Sequence, residues 1–338
     1  MSAAIIGLGR MGLRHAQVLK NLGIRIGAVS DANGEALAKA RNELGVAPSA
    51  CHVDGHALLG ATVPDLLVVA TTAASHAELV IAAAARGVKM ILCEKPMAVS
   101  LGQCDRMIEA CARHGTRLAV NHQMRFMEQY MRPRSLLASE AYGGVSSVTV
   151  VAGNFGLAMN GSHYIEMFRY ITDEAPARVT AWFSAGHVAN PRGPQFEDRA
   201  GSIRLETASG CRFYLDCSVD HGHGVRVVYA ARHGQIEVDE LAGRMVQSVR
   251  RAEHRDMPTT RYGMPWEDID QAIVPADVIA PTQAVLEALL EGSGYPTGEE
   301  ARAAVTALSA AYWSAENDNI GINLHDPRIP KERVFPWA

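Results

Sequence analysis

The stretch AAIIGLGRMG, residues 3–12, decides the fold of this chain. An apolar, strand-like run leads directly into Gly7, Gly9 and Gly12, which have the spacing G-x-G-x-x-G, and a helical pattern follows them. Three glycines at this spacing allow a tight turn, a close approach of the backbone to a pyrophosphate, and close packing of a helix on a strand. The stretch therefore predicts the first strand, turn and helix of a dinucleotide-binding domain.

An aspartate at the end of the second strand-like run indicates which dinucleotide is bound. Asp31 follows Gly12 by about 20 residues, the distance at which a carboxylate accepts hydrogen bonds from the adenosine ribose. A carboxylate at this point also repels the 2′-phosphate of NADP, and the next cation along the chain is Lys39. The sequence predicts NAD as the cofactor, with NADP less favoured. The alternative is an ordinary strand-to-helix turn followed by a surface aspartate.

Residues 1–121 alternate strand-like runs with alanine-rich helical segments. The predicted strands are AAIIG, IRIGAVS, DLLVVAT, VKMILC and RLAVN. Most of them are apolar throughout, which is typical of strands that are buried on both faces. Because strands and helices alternate, the sheet is expected to be parallel. Residues 1–121 are interpreted as a Rossmann-type dinucleotide-binding domain.

The remaining residues, 122–338, have a different pattern. Strand-like runs from SVTVVAGNFG to QIEVDEL follow one another at hairpin spacing, and few helical segments separate them. The helical segments PTQAVLEALLEG and TGEEARAAVTALSAAYWSAEN come last. This order predicts a second α/β domain, for substrate binding and oligomerisation, with an open and mostly antiparallel sheet. The predicted fold class is α/β.

The composition favours a small molecule as the partner. The formal net charge is -4, so the chain has no basic excess with which to neutralise a nucleic acid. No uncharged apolar run approaches the roughly 18 residues that cross a bilayer, and the glycine motif begins too early for a leader segment, so the predicted location is the cytoplasm. The six cysteines lack C-x-x-C spacing, which predicts neither a structural zinc site nor a disulfide framework.

A second stretch, ILCEKPMAVS at residues 91–100, has two charged residues where an apolar strand ends. Ligands of an open parallel sheet bind beyond the carboxyl ends of its strands, so Glu94 and Lys95 are expected at the same rim as Gly9 and Asp31. A lysine beside a bound dinucleotide can donate a proton or stabilise an alkoxide. The alternative is an exposed lysine that is balanced by the neighbouring glutamate.

The glycine motif, the ATTAASH run at residues 70–76 and above all CEKPM at residues 93–97 closely resemble the Gfo/Idh/MocA oxidoreductases. The resemblance covers nearly the whole chain, because the GSHYIE run at residues 161–166, the strand-rich middle and the last helical segment follow in the expected order. It implies a Rossmann domain joined to an α/β domain whose open sheet often packs against another subunit. It also implies hydride transfer between NAD or NADP and a hydroxyl or carbonyl carbon of a sugar, polyol or sugar nucleotide.

The motifs and the resemblance together give a set of candidate site residues. Lys95 and His163 are the predicted catalytic residues, and the predicted substrate contacts are these two with Arg125 and Asn160. The predicted cofactor-binding residues are Gly7, Gly9, Arg10, Met11, Gly12, Asp31, Thr71, Thr72, His76, Glu94, Lys95 and Asn121. No metal is expected.

The chain departs from the family pattern near the helix that begins around Gly161. Many members have an aspartate four residues before the histidine, whereas here Met159 holds that position and Asn160 follows it. Asparagine takes up no proton at neutral pH, so His163 is expected to share the proton transfer with Lys95 while Asn160 orients the substrate. The alternative for His163 is a capping or packing role.

Several other residues allow two interpretations. Arg125 would bind an anionic substrate group or form a structural ion pair. His221 and His223 would form a polar loop rather than a metal site, because a third and a fourth ligand are missing from the pattern. Trp182 and Tyr214 are expected to pack the sheet.

Three activities are compatible with these motifs. The favoured one is an NAD-dependent dehydrogenase or reductase that acts on a CH–OH group. The second is an enzyme that keeps NAD bound and oxidises a sugar only transiently, and the third is an NAD-binding sensor or scaffold with a disabled site, which Met159 suggests. In each case one face of the second sheet is left uncovered, which predicts a homodimer or homotetramer.

Overall fold

The computed structural model describes residues 1–153, 155–187, 189–190, 192–258 and 265–337. Two compact units divide the chain. Unit 1 comprises Met1–Gln123, Val278–Val305 and Pro330–Ala338, and unit 2 comprises Met124–Asp277 and Thr306–Ile329. Both units are discontinuous in sequence.

Unit 1 contains a parallel sheet of six strands. The strands are β1 (Ser2–Ile6), β2 (Arg25–Ser30), β3 (Cys51–His52), β4 (Leu66–Val69), β5 (Met90–Cys93) and β6 (Arg117–Val120). Their order across the sheet is β3-β2-β1-β4-β5-β6, so the direction of winding reverses between β1 and β4. This is the strand order of the Rossmann fold, and ligands of such sheets bind at the reversal. The predicted fold class of this part of the chain is confirmed.

Helices connect these strands and cover the sheet. They are α1 (Arg10–Asn21), α2 (Gly34–Leu44), α3 (Gly55–Ala61), α4 (Ala73–Ala85) and α5 (Leu101–His114). All four residues of β4 have 0% exposure, as the continuous apolar run predicts. Fully burying one such aliphatic side chain contributes roughly 1.5–3 kcal/mol, so the four residues of β4 stabilise unit 1 substantially.

The sequence does not predict β3 or α3. β3 has only two residues, and α3 has seven. α3 begins where the carboxylate of Asp54 accepts a hydrogen bond from the backbone N–H of Ala57 at 2.8 Å. Neither element is long enough for hydrophobic periodicity to reveal it.

Unit 2 is built on a sheet of nine strands. The elements from residue 124 onward are α6 (Glu128–Leu137), β7 (Val145–Gly153), α7 (Ser162–Thr172), β8 (Pro176–His187), β9 (Arg199–Thr207), β10 (Arg212–Ser218), β11 (Arg226–Ala231), β12 (Gly234–Asp239), β13 (Arg244–Arg250), β14 (Trp266–Ala272), α8 (Ile279–Glu291), α9 (Gly298–Glu316) and β15 (Ile322–Asn323). The strand order is β14-β13-β12-β11-β7-β10-β9-β8-β15, and every pairing is antiparallel except that of β7 with β10. The predicted open, mostly antiparallel sheet is confirmed.

The side chains of this sheet alternate between a buried and an exposed face. In β10, Phe213, Leu215 and Cys217 are buried, whereas Tyr214 between them is 38% exposed. Trp182 in β8 is 51% exposed. The expectation that Trp182 and Tyr214 pack the sheet is wrong within a single chain, because the period of two places both on the outer face.

The prediction that residues 122–338 form one domain differs from the two units. α8 and the first half of α9 belong to unit 1, together with the C-terminal segment. The guanidinium of Arg117 donates to the carbonyls of Leu289 and Leu290 at 2.7 and 3.2 Å, and thereby holds the end of α8 beside β6. The N–H of Phe335 donates to the carbonyl of Val99 at 2.9 Å. Such contacts join residues that are distant in sequence, so local pattern does not reveal them.

No helix in the described part of the chain has both the length and the apolar character needed to span a membrane.

Candidate active site

The turn between β1 and α1 explains the spacing of the three glycines. Gly7 has a φ of 94°, and a Cβ there would lie 2.6 Å from the carbonyl of Ala70. A Cβ on Gly12 would lie 1.9 Å from the carbonyl oxygen of Gly7. By contrast, a Cβ on Gly9 would meet no atom within 4 Å. The first and third glycines are therefore required for packing, and the second faces open space.

This open space fits the phosphates of a dinucleotide. α1 begins at Arg10, and no side chain of the described residues caps its first backbone N–H groups. Arg10 is exposed and Met11 is half-buried at this end of the helix. Uncapped N–H groups and the positive end of the helix dipole attract an anion such as a pyrophosphate.

Asp31 lies beside the same turn. One oxygen of its carboxylate accepts a hydrogen bond from the backbone N–H of Leu8 at 2.6 Å, and the other accepts one from the N–H of Asn33 at 2.8 Å. Each carboxylate oxygen has a further lone pair, so these two bonds leave capacity for ribose hydroxyls. The two backbone contacts hold the negative charge at the end of β2.

Replacing Asp31 by serine is expected to reduce the preference for NADH over NADPH by about 10-fold, because a hydrogen bond to a charged group contributes roughly 1.5–3 kcal/mol. Fluorescence titration of both dinucleotides measures the ratio of their Kd values. Glu35→Gln removes an exposed carboxylate one turn further along and serves as the control. Tighter binding of NADPH than of NADH by the parent protein would contradict the role of Asp31.

The loop after β4 is tied to the loop after β5 by a buried histidine. One ring nitrogen of His76 lies 3.0 Å from the carbonyl oxygen of Pro96, and the other lies 3.3 Å from that of Thr71. Burial lowers the pKa of His76, so the ring is neutral at pH 7 and donates from one nitrogen only. The hydroxyl of Ser75 donates to that of Thr71 at 2.8 Å, and Thr72 precedes the first residue of α4. His76 has 0% exposure, so it holds the two loops together from inside the fold and presents no surface to a cofactor.

Glu94 and Asn121 lie together at the carboxyl ends of β5 and β6. The amide nitrogen of Asn121 donates to the carboxylate of Glu94 at 2.8 Å, and both residues are buried. Nε2 of His15 lies 2.7 Å from the same carboxylate oxygen. Although burial alone would raise the pKa of Glu94, the hydrogen bond and charge of His15, then Lys95 and Asn121, lower it to about 2. Glu94 is therefore an anion at any working pH.

Lys95 follows this anion directly. Its side chain is half-buried, and its backbone N–H lies 3.3 Å from the second carboxylate oxygen of Glu94. Glu94 is 2% exposed, and its carboxylate is occupied by residues of unit 1. Among the polar side chains predicted to contact the cofactor, Glu94, His76 and Asn121 are buried within unit 1.

Sequence reasoning missed His15, although a signal was present. His15 is on the same face of α1 as Gly12, Ala16 and Leu19, which are all buried. A polar residue in an apolar helical stripe needs a buried partner. The sequence shows that such a partner must exist but does not identify Glu94.

The second group of candidate residues is at the start of α7 in unit 2. A π-type turn, Leu157–Gly161, leads into this helix. Asn160 is half-buried and His163 is 8% exposed. The carboxylate of Asp198 accepts hydrogen bonds from the backbone N–H groups of Ala158 and Met159, both at 2.8 Å. The Asp198 carboxylate thus caps the segment that precedes His163, and sequence reasoning missed this residue.

A buried carboxyl group anchors α7 to the rest of unit 2. Glu240, at the end of β12, accepts hydrogen bonds from the hydroxyls of Tyr130 and Tyr164, the latter at 2.9 Å. Burial raises the pKa of Glu240 to about 7, and the two hydroxyl donors limit the rise. Tyr164 adjoins His163 in sequence, so this cluster also fixes the helix that presents the histidine.

The stability of the protein is expected to fall as the pH rises from about 4.5 to about 7, because folded Glu240 keeps a proton that the unfolded chain releases. A single such group contributes a slope of up to about 1.4 kcal/mol per pH unit. Glu240→Gln should remove this part of the slope, measured as the urea midpoint across the window. Glu237→Gln, an exposed residue of the same strand, is the control, and an unchanged slope in Glu240→Gln would refute the assignment.

The remaining candidates form other contacts. Arg125 is 6% exposed and pairs with the carboxylate of Glu166, which also accepts a hydrogen bond from Arg169 at 3.1 Å. This geometry favours the structural ion pair for Arg125. The rings of His221 and His223 stack with centroids 5.6 Å apart, and no cluster of three or more potential metal-ligating side chains occurs among the described residues.

Comparisons with known proteins identify the family. A family model described as "Oxidoreductase family, NAD-binding Rossmann fold" matches residues 1–122. The chain is 31% identical over 246 residues to inositol 2-dehydrogenase from Streptomyces avermitilis, which covers 67% of this chain and 68% of the relative. The chain belongs to the Gfo/Idh/MocA oxidoreductases. The family predicted from the CEKPM motif is confirmed, and with it the NAD-binding Rossmann fold.

Two further matches extend over most of this Gfo/Idh/MocA member. D-apiose dehydrogenase from Paraburkholderia graminis is 27% identical over 356 residues, which covers 92% of this chain and 87% of the relative. The crystal structure of an oxidoreductase from Agrobacterium radiobacter in complex with NAD+, L-tartaric acid and magnesium has a TM-score of 0.80 at 20% identity, over 96% of this chain and 98% of that chain. At this identity the structural match concerns the fold of both units.

Proposed function

We propose that this protein is an NAD-dependent dehydrogenase that transfers a hydride between the nicotinamide and a carbinol carbon of a polyol or sugar. One observation carries the proposal: a buried anion, Glu94, is held by His15 and Asn121 directly before Lys95, at the rim where the glycine turn also opens. When bound, NAD accepts or supplies the hydride. The protein then has to bind the substrate and move one proton.

The proposal assigns the proton to two residues. Lys95 donates a proton to the substrate oxygen, or takes one from it, and its charge stabilises an alkoxide. His163 is the second proton carrier, and Asn160 offers a donor and an acceptor to a substrate hydroxyl. Arg125 is kept out of this set because its guanidinium is paired with Glu166.

The names of the relatives support a polyol or sugar as the substrate. They include inositol 2-dehydrogenases from several bacteria and D-apiose dehydrogenase. Both substrates named there have several adjacent hydroxyl groups, which suits the hydrogen-bonding and proton-transfer roles proposed for Lys95, His163 and Asn160. Two alternatives differ in outcome: an enzyme that oxidises a sugar transiently with retained NAD, and a sensor that binds NAD without turnover.

A screen of inositols, aldoses and sugar nucleotides with NAD tests the proposal. Absorbance of the nicotinamide should show NADH released in proportion to the substrate consumed. Substrate conversion without net NADH would favour the transient oxidation, and NAD binding without any conversion would favour the sensor. Both results would contradict the proposed function.

An oligomer is proposed from the outer face of the second sheet. Trp182 and Tyr214 are exposed there in β8 and β10, which lie on either side of β9. Aromatic side chains at interface centres contribute much of the binding energy, and symmetric pairing of two such faces gives a dimer or tetramer. The predicted cytoplasmic location, and the absence of nucleic acid and membrane partners, stay predictions from composition.

Sedimentation velocity at micromolar concentration should show a dimer or tetramer, and Trp182→Lys with Tyr214→Lys should shift it towards the monomer. Leu241→Lys is the matched control, because Leu241 is 73% exposed in the turn after β12. A parent protein that is strictly monomeric would contradict this proposal.

A further inference from the structure

A cluster of three buried polar residues lies beneath the rim of unit 1. His15 and Asn121 have 0% exposure and Glu94 has 2%. They belong to α1, the end of β6 and the end of β5, and the two hydrogen bonds to Glu94 meet at the same oxygen, Oε1. The amide of Asn121 also lies 3.5 Å from the hydroxyl of Thr282 in α8. The cluster therefore joins α1, α8 and the ends of β5 and β6, close to the glycine turn and to the loop that carries Lys95.

The two oxygens of Glu94 have different neighbours. Oε1 accepts from Asn121 and contacts His15, whereas Oε2 faces the backbone N–H of Lys95 at 3.3 Å. When a buried carboxylate loses a partner, either another group replaces that partner or the uncompensated charge costs several kcal/mol of desolvation. The charge of Lys95 already contributes to stabilising this anion. If His15 were absent, the ammonium of Lys95 would be the nearest replacement along the chain.

His15 cannot contact a ligand directly, because its ring is completely buried. Resting on the proposed role of Lys95, we propose that His15 is a positioning residue, which holds the Glu94 carboxylate through Oε1 and so keeps that carboxylate from drawing the Lys95 ammonium towards itself. His15 is also in the helix whose first turn faces the cofactor phosphates. The contact between His15 and Glu94 therefore fixes the loop after β5 against the turn between β1 and α1.

A cycle of variants tests this inference. His15→Leu should lower kcat by about 10-fold, with KM and the Kd for NADH changed by less than about 3-fold, because the binding groups stay in place. Glu94→Gln removes the carboxylate that would capture the ammonium. The double variant should therefore match Glu94→Gln alone in kcat, since His15 acts only through Glu94. Multiplied losses in the double variant would overturn the proposal.

A second readout is independent of turnover. The rate at which limiting acetic anhydride acetylates Lys95, followed by peptide mass spectrometry at fixed pH, should fall about 3-fold or more in His15→Leu, because a captured ammonium gives up its proton less readily. In the double variant the rate should return to that of Glu94→Gln. His15→Gln, which keeps a donor to Glu94, should restore most of the parent rate. Equal acetylation of Lys95 in the parent and in His15→Leu would refute the inference.

A control elsewhere in unit 1 distinguishes a general loss of stability from the proposed positioning role of His15. The hydroxyl of Thr116 is buried and donates to the carbonyl of Val88 at 2.7 Å, so Thr116→Val removes a buried hydrogen bond without touching Glu94. Its kcat should stay within about 2-fold of the parent at a comparable loss of Tm. An equal fall of kcat in Thr116→Val would reduce His15 to a structural residue. If no polyol or sugar is oxidised, the proposed function fails, and the acetylation rates alone decide the role of His15.

Discussion

Lys95→Ala is expected to lower kcat by about 100-fold or more, the usual effect of losing a general acid or base, while the Kd for NADH stays within about 3-fold. The lysine follows a fixed anion at the carboxyl end of β5, and Glu94 keeps its contacts with His15 and Asn121 when the half-buried lysine side chain is removed. Steady-state kinetics with the best substrate of the screen, together with titration of NADH, measures both quantities.

Lys89 provides the matched control for this variant. It is exposed just before β5, at the opposite end of the same strand. Lys89→Ala removes an equal charge from the same unit and should leave kcat unchanged. Turnover of Lys95→Ala close to that of the parent would remove the central claim of the proposed function.

His163→Ala is expected to depress kcat by at least about 100-fold and to remove the pH dependence that reflects the imidazole. Asn160→Ala should instead act mainly through KM, provided that its contact is equally strong in the ground state and the transition state. Asn160→Asp distinguishes two hypotheses. If the variant retains substantial activity, Asn160 functionally replaces the aspartate expected from the family pattern. If the variant raises activity from near zero, the site of the parent protein has degenerated. Rate measurements across pH 5–9 distinguish these outcomes.

His325, an exposed residue of unit 2, provides the control, and His325→Ala should turn over like the parent. Thermal unfolding of His163→Ala checks that the buried ring, which is 8% exposed, was not needed for folding. If His163→Ala accepted every substrate as well as the parent, the catalytic role of α7 would be withdrawn. The search would then move to Arg125 and to the loop with His221 and His223.

The fold of unit 1 could be predicted because its signals are local. An apolar strand such as β4 is buried on both faces, and Gly7 and Gly12 record backbone contacts that admit no Cβ. The C-terminal part of the unit could not be predicted, because Arg117 holds the end of α8 through a contact that spans most of the second unit in sequence. Amphipathic pattern predicts that a helix packs, but it does not identify the surface.

The candidate site residues that belong to a recognisable sequence motif could be predicted. Lys95 and Asp31 follow strands directly, so strand order alone brings them to the rim. His15 and Asp198 escaped because each acts on a distant segment through a hydrogen bond. Asp198 in particular supplies a carboxylate beside Met159, where the local sequence has none.

The discontinuity of unit 1 affects how the chain folds during synthesis. Residues 1–123 leave the ribosome first, yet α8 covers part of their apolar surface with Val285, Leu286 and Leu289, which are fully buried. The apolar surface of residues 1–123 therefore stays uncovered until residues 278–305 are synthesised, which happens only after residues 124–277 have been translated. Contacts over such separations are slow to form, and an uncovered apolar surface is prone to association during the delay. A fragment that ends near residue 122 would lack α8 altogether and would leave this apolar surface uncovered.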